Sequence, residues 1–200
     1  MDDELKTLQR EAEEQSQEEA KDVKVMPEVM KDVLGWAKVV FFAVAFALIF
    51  NHFVIVNATV PTGSMRTTIM EKDRIFAFRL SYLFSPPKRF DIVVFRYPDD
   101  ESKLFVKRII GLPGETVTID NGKIYIDGSD EPLPDHFATQ SYIEEYGVFV
   151  VPVDHYFMIG DNRDNSQDSR QWLNPYVERR KILGKVFVKY YPNIQWMINQ

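Results

Sequence analysis

The chain has 200 residues, no cysteine and a net charge of −6. That is enough material for one folded domain plus an appendage. The missing cysteine removes disulfides, thiol catalysis and Cys-based zinc sites together, and the lack of a basic surplus argues against nucleic-acid binding.

Charge is unevenly spread. Residues 1–24 hold nine acids against four bases, or −5, which leaves about −1 for the remainder. Residues 1–32 read as an acidic cytoplasmic tail, helical or unstructured. From Val39 to Met65 no residue is formally charged, and "VVFFAVAFALIF" (39–50) is apolar without a break. A span over 36–56 is roughly 30 Å as helix, enough to cross a bilayer; Lys38 near its start can snorkel, and Trp36 suits the interface. Asn51 and His52 are costly near its far end. Residues 33–57 are therefore expected to form a transmembrane anchor. Small residues in "VNA" (56–58) suggest a cleaved signal, but cleaved signals start basic and short, unlike this tail. Lys21, Lys24, Lys31 and Lys38 precede the uncharged run and Arg66 is the first base after it. The lysine bias predicts a single-pass protein with its N-terminus inside and residues 58–200 outside.

Beyond the anchor the pattern turns to short β-branched and aromatic runs: 74–78, 91–97, 104–110, 117–120, 123–127, 148–152, 155–160 and 185–191. Asn121-Gly122 between two alternating segments predicts a type I′ hairpin. Several connections are too short for crossover helices, so pairing should be antiparallel. Residues 169–180 suggest a short helix or a loop. The expected fold is mainly β: an N-terminal transmembrane helix followed by an antiparallel β-sheet domain, curled or stacked to manage its edges.

Three polar clusters interrupt the strands. In "TGSM" (62–65), Gly63 permits close backbone approach and Ser64 reads either as a turn former or as a nucleophile. In "FVKRIIGLPGE" (105–115), alternation puts Phe105, Lys107 and Ile109 on one face and Val106, Arg108 and Ile110 on the other. Lys107 is then either a solvated edge-strand lysine or a buried one. Burial would lower its pKa toward neutrality, so that it could accept a proton. The third cluster is "GDNRDNSQDSR" (160–170). Its aspartates suggest calcium, but Ser166 and Trp172 stand where an EF-hand needs Gly and Glu, so a loop that organises itself beside a site is the better reading. His155 and His136 are the alternative bases, and a Ser64/His155/Asp168 triad stays open on sequence alone. No metal signature is present.

Taken jointly and in this order, "GSM" after an anchor, "FDIVVFRYP" (90–98), "KRIIGLPGE" and "GDNRDNSQDSR" resemble the type I signal peptidases, membrane-bound serine proteases that remove secretory signal peptides. The resemblance runs from the anchor to about Tyr191. It implies Ser64 as nucleophile and Lys107 as general base, with oxyanion donors from the Ser64 N–H and the Thr62 hydroxyl. It further implies that Ser166 orients the lysine and that Asp161, Asp168 and Arg170 lend structural support. It implies no cofactor and no metal. The implied partners are preprotein signal peptides, the lipid bilayer and the neighbouring secretion machinery, at the cell membrane. Thr67 departs from the family, which often has proline there, and this predicts a looser turn. By sequence, about eight residues separate Val56 from Ser64, a tether of at most roughly 25–30 Å; a signal peptide's cut site lies equally close to an apolar segment, and a shared membrane raises effective concentration. Trp196 and Phe84 are candidates for lipid contact or for the core. Two rivals remain: a Ser–Lys peptidase of the self-cleaving SOS repressor type, and a membrane-anchored β module that binds without catalysing.

Overall fold

A computed structural model describes residues 10, 30–50, 53–134, 136–139 and 146–197. Most of the acidic tail, with Lys21 and Lys24, and the Asn51–His52 pair lie outside them. The chain divides into two compact units after Phe50. The first contributes one helix, α1 (Met30–Phe50), long and apolar enough to cross a membrane and with none of its apolar window buried against protein.

The second unit is antiparallel β. Its strands are β1 (Ile55–Thr59), β2 (Arg74–Phe78), β3 (Ile92–Tyr97), β4 (Asp100–Gly111), β5 (Thr116–Asp120), β6 (Lys123–Ile126), β7 (Tyr146–Val150), β8 (His155–Ile159), β9 (Tyr176–Glu178), β10 (Ile182–Tyr191) and β11 (Gln195–Trp196). One sheet runs β1-β2-β10-β3-β4-β8-β9, with β11 beside β10, and a smaller one runs β6-β5-β7. Asn121 and Gly122 both have positive φ, 49° and 76°, as a type I′ turn requires.

The sequence expectation misplaced three segments. The helix does not reach Val56, which pairs with Ala77 in β1–β2 and is 4% exposed. Branched and small residues in "IVNAT" are good strand formers, and a waiting partner strand overrides the hydrophobic run that seemed to extend the anchor. Residues 176–178 pair with β8 as β9 instead of forming a helix or loop. Strand β4 begins at Asp100, four residues early, because Asp100 pairs with Tyr97 beyond a register shift at the end of β3.

Three apolar clusters hold the unit together. One gathers Val56, Met65, Ile69, Ile75, Val94 and Val186. A second holds Val93, Phe95, Ile109, Met158 and Trp172. The third joins Ile110, Phe157 and Ile159 of the large sheet to Val117, Ile119 and Ile124 of the small one. Strand β4 contributes to both faces, so Lys107 through Gly111 are all buried. Trp196 and Phe84, by contrast, are exposed.

Candidate active site

Ser64 sits in a single 3-10 turn, Gly63–Met65, that follows the extended Thr62. The turn is anchored from below: Met65 and Ile69 are fully buried, and Met65 O accepts hydrogen bonds from the N–H groups of Thr68 and Ile69. The apolar side chains thus fix a polar turn by the free energy of their own burial. A Cβ at Gly63 would lie 2.6 Å from the Glu71 carboxylate and 2.7 Å from Arg66 Nε, so this exposed ion pair would have to shift to admit a side chain there.

Lys107 approaches the same point from β4, where it faces Val93 of β3. It is 3% exposed, and its Nζ donates a hydrogen bond to Ser64 Oγ. Burial pushes its pKa down from 10.5 to about 8, against the opposing pull of Asp168, with Arg170 lowering it further and Asp161 raising it. The sheet opens beside this contact. Strand β8 pairs with β4 only as far as Ile159, opposite Arg108, and the chain then leaves through Gly160 into the polar loop.

That loop is held by arginines. Arg108, the next residue after Lys107, is fully buried and donates through Nε and Nη2 to both Asp161 oxygens, at 2.8 and 2.7 Å. Thr68 Oγ1 donates to the same carboxylate, and the Phe137 ring covers the guanidinium at 3.7 Å. Asp168 pairs with Arg170 at 2.8 Å and accepts the Gly160 N–H at 3.0 Å. Two of the aspartates that suggested calcium, Asp161 and Asp168, are therefore engaged with separate cations, and no group of three acidic or histidine side chains converges among the described residues.

The remaining expected residues fall as follows. Thr62 is exposed at the rim of a groove, and its side chain makes no capping bond. Ser166 is buried, yet its Oγ has no hydrogen-bond partner among the described residues. It does not bond Lys107 here. It lies over Gly160, where a Cβ would come 2.2 Å from it and 2.4 Å from Ser64 O. His155 opens β8, opposite Glu178, with Nδ1 bonded to Val153 O at 2.8 Å. With His155 so placed and the Asp168 carboxylate occupied by Arg170, the triad is not assembled. Thr67 corrects another expectation. Its φ is 83°, which proline cannot adopt, and its Oγ1 ties the turn to Phe137 O at 3.0 Å, so the departure brings a tether. Three contributors escaped the sequence reading: Thr68, Asn162, and Arg108 as an ion-pair partner. A Lys-Arg pair inside an apolar strand was the available signal for Arg108, since at least one of two successive residues faces a core.

Ser64 and Lys107 line a groove of about 440 Å³ whose walls include Ala58, Val60, Val94, Leu104 and Val106. A paired hydroxyl and low-pKa amine beside a small apolar groove on a β scaffold define an arrangement suited to acyl transfer. The comparison with known proteins agrees with that class. The family model "Signal peptidase, peptidase S26" matches residues 33–191. A signal peptidase I of Leptolyngbya laminosa is 35% identical over 83% of this chain and 83% of its own. Signal peptidase I S of Bacillus subtilis is 35% identical over 81% and 91%. A solved signal peptidase I from Enterococcus faecalis V583 is 29% identical, covering 50% of this chain and 97% of that one, with a TM-score of 0.42. The chain belongs to the signal peptidase family, peptidase S26. With its apolar N-terminal helix, it is a membrane-anchored peptidase.

Proposed function

We propose that this chain removes N-terminal signal peptides from preproteins at the outer face of the cell membrane, with Ser64 as nucleophile and Lys107 as general base. The observation that carries this reading is the buried hydrogen bond between Lys107 Nζ and Ser64 Oγ. The neutral amine takes the hydroxyl proton as Ser64 Oγ attacks the scissile carbonyl. The oxyanion is held by the Ser64 N–H and the Thr62 hydroxyl. Lys107 returns the proton to the leaving amine as the C–N bond breaks, leaving an acyl ester on Ser64. Water, giving its proton to Lys107, then attacks the ester and frees Ser64. Ser166 Oγ, buried and without a partner among the described residues, supplies an acceptor that steadies the ammonium formed at each step.

The groove's walls include Ala58, Val60, Val94 and Val106 beside polar residues such as Asn57 and Gln167, and the small apolar part suits the small residues of an A-x-A-like cleavage site. The lysine bias around the anchor supports a catalytic unit on the outside, where translocated preproteins would emerge beside the bilayer and the secretion machinery. The test uses the full chain in detergent or liposomes with a purified preprotein. Wild type trims it, while Ser64→Ala and Lys107→Ala are inert and His155→Ala keeps its activity. Cleavage by Ser64→Ala would support the non-catalytic module, with a contaminant doing the work. Loss of activity in a folded His155→Ala would restore the triad.

A further inference from the structure

The Gly63–Ser64 peptide unit has a carbonyl at one end and the Ser64 N–H at the other. A trans peptide is rigid and planar, and its C=O and N–H point in opposite directions. Whatever fixes Gly63 O therefore also aims the Ser64 N–H.

Gly63 O accepts two hydrogen bonds, one from the Arg66 N–H at 3.1 Å within the turn and one from Asn162 Nδ2 at 2.8 Å. The next carbonyl, Ser64 O, accepts the Asn162 backbone N–H at 3.0 Å. A single residue thus grips both carbonyls flanking the nucleophile's Cα. Asn162 is itself firmly held. Its predecessor Asp161 is locked by Arg108 and Thr68, and its own carbonyl accepts the Asn165 N–H at 3.1 Å. Gly160, two residues back, leaves just enough room for Ser64 O. Asn162 does not line the groove, whereas Asn165 and Gln167 do.

We infer that Asn162 is a positioning residue that aims the Ser64 N–H at the oxyanion through its side-chain bond to Gly63 O. This rests on the Ser64 acyl-transfer reading above. In the ground state the substrate carbonyl needs little from that donor; in the transition state the full oxyanion does. The amide should therefore act on turnover more than on substrate binding.

The test compares wild type with Asn162→Ala and Asn162→Asp in the full chain. Asn162→Ala removes only the side-chain donor and keeps the backbone bond to Ser64 O. Its kcat should fall about 10- to 100-fold, with KM within about twofold and the pH inflection at Lys107 unmoved. Asn162→Asp is isosteric but sets a carboxylate against a carbonyl oxygen, so its loss should be larger. The decisive readout is a substrate-like peptide aldehyde, to whose carbonyl Ser64 Oγ adds, forming a tetrahedral adduct with the charge-bearing oxygen in the same place. Aldehyde affinity should drop by the same factor as kcat, while affinity for the cleaved product peptide stays constant. A kcat within twofold of wild type for Asn162→Ala would overturn the inference while leaving the dyad intact, provided Ser64→Ala remains inert. Equal losses of aldehyde and product affinity, in either variant, would also overturn it, since they mark a general deformation of the groove. Cleavage by Ser64→Ala would instead bring down the reading beneath it.

Discussion

Lys107 and Arg108 are consecutive residues of β4, both are buried, and they project to opposite faces of the sheet. The chain meets the cost of two buried cations in two ways. Arg108 keeps its charge, because a guanidinium is always protonated, and meets the Asp161 carboxylate through two parallel bonds. Among the described residues Lys107 has no such ion-pair partner at its Nζ, which bonds to a neutral hydroxyl, so its burial is relieved by losing the proton. The first solution builds the scaffold and the second makes a base available near neutral pH.

Activity should follow the deprotonation of Lys107. The rate of the acylation step is expected to rise with pH, inflect near 8 and level above about 9, lying on the order of 100-fold below its plateau at pH 6. A rate still climbing through pH 10 would contradict a desolvated amine. Stability carries the same signature with a definite sign. Between about 8 and 10.5 the unfolded chain holds the lysine proton and the folded chain does not, so stability rises with pH across that window. Urea titrations at pH 7.5 and 9, below the range where the tyrosines ionise, should show this rise, and Lys107→Met should abolish most of it.

Breaking the Arg108–Asp161 pair should be severe. Asp161→Ala leaves a fully buried guanidinium without its carboxylate, at a cost of about 3–5 kcal/mol. The urea midpoint should fall accordingly, and activity should fall with it because the loop behind Ser64 is loosened. A midpoint shift worth under about 1 kcal/mol would mean that other groups satisfy Arg108.

Gly160→Ala should uncouple the site with a single methyl group. The added carbon would sit 2.4 Å from Ser64 O and 2.2 Å from Ser166 Oγ, and the first of these is backbone that cannot swing aside. We expect an overpacking cost of about 1–3 kcal/mol and a larger proportional loss of kcat. An active, equally stable variant would show that the turn adapts.

Ser166→Ala separates stability from catalysis. Its buried hydroxyl lacks a partner among the described residues, so deleting it should leave the thermal midpoint unchanged or slightly raised. If Ser166 steadies the protonated Lys107 during turnover, kcat should fall about tenfold and the pH inflection should move. Unchanged kinetics would confine the hydroxyl to a packing role.

Orientation can be read with single cysteines, since the chain has none of its own. Ser129→Cys, at an exposed site in the β unit, should react with a membrane-impermeant maleimide on intact cells. Ser16→Cys, in the acidic tail, should react only after permeabilisation. The reverse pattern would invert the topology.

Local sequence determined a good deal here. Hydrophobic length marked the apolar helix, alternation marked most strands, and Asn121-Gly122 fixed a hairpin, because each depends on neighbours within a few residues. The quoted motifs also nominated Ser64 and Lys107, though only jointly, since a serine in a turn and a lysine in a strand are each ordinary. Tertiary structure decided the rest. It moved Val56 from the anchor into a sheet by giving it Ala77 as a partner. It left Ser166 Oγ without a hydrogen bond among the described residues, paired Arg108 with a carboxylate 53 positions away, and laid Asn162 against Gly63 across 99 positions. Burial and hydrogen-bond partnership are properties of the packed chain, and no local pattern encodes which distant group will arrive to satisfy them.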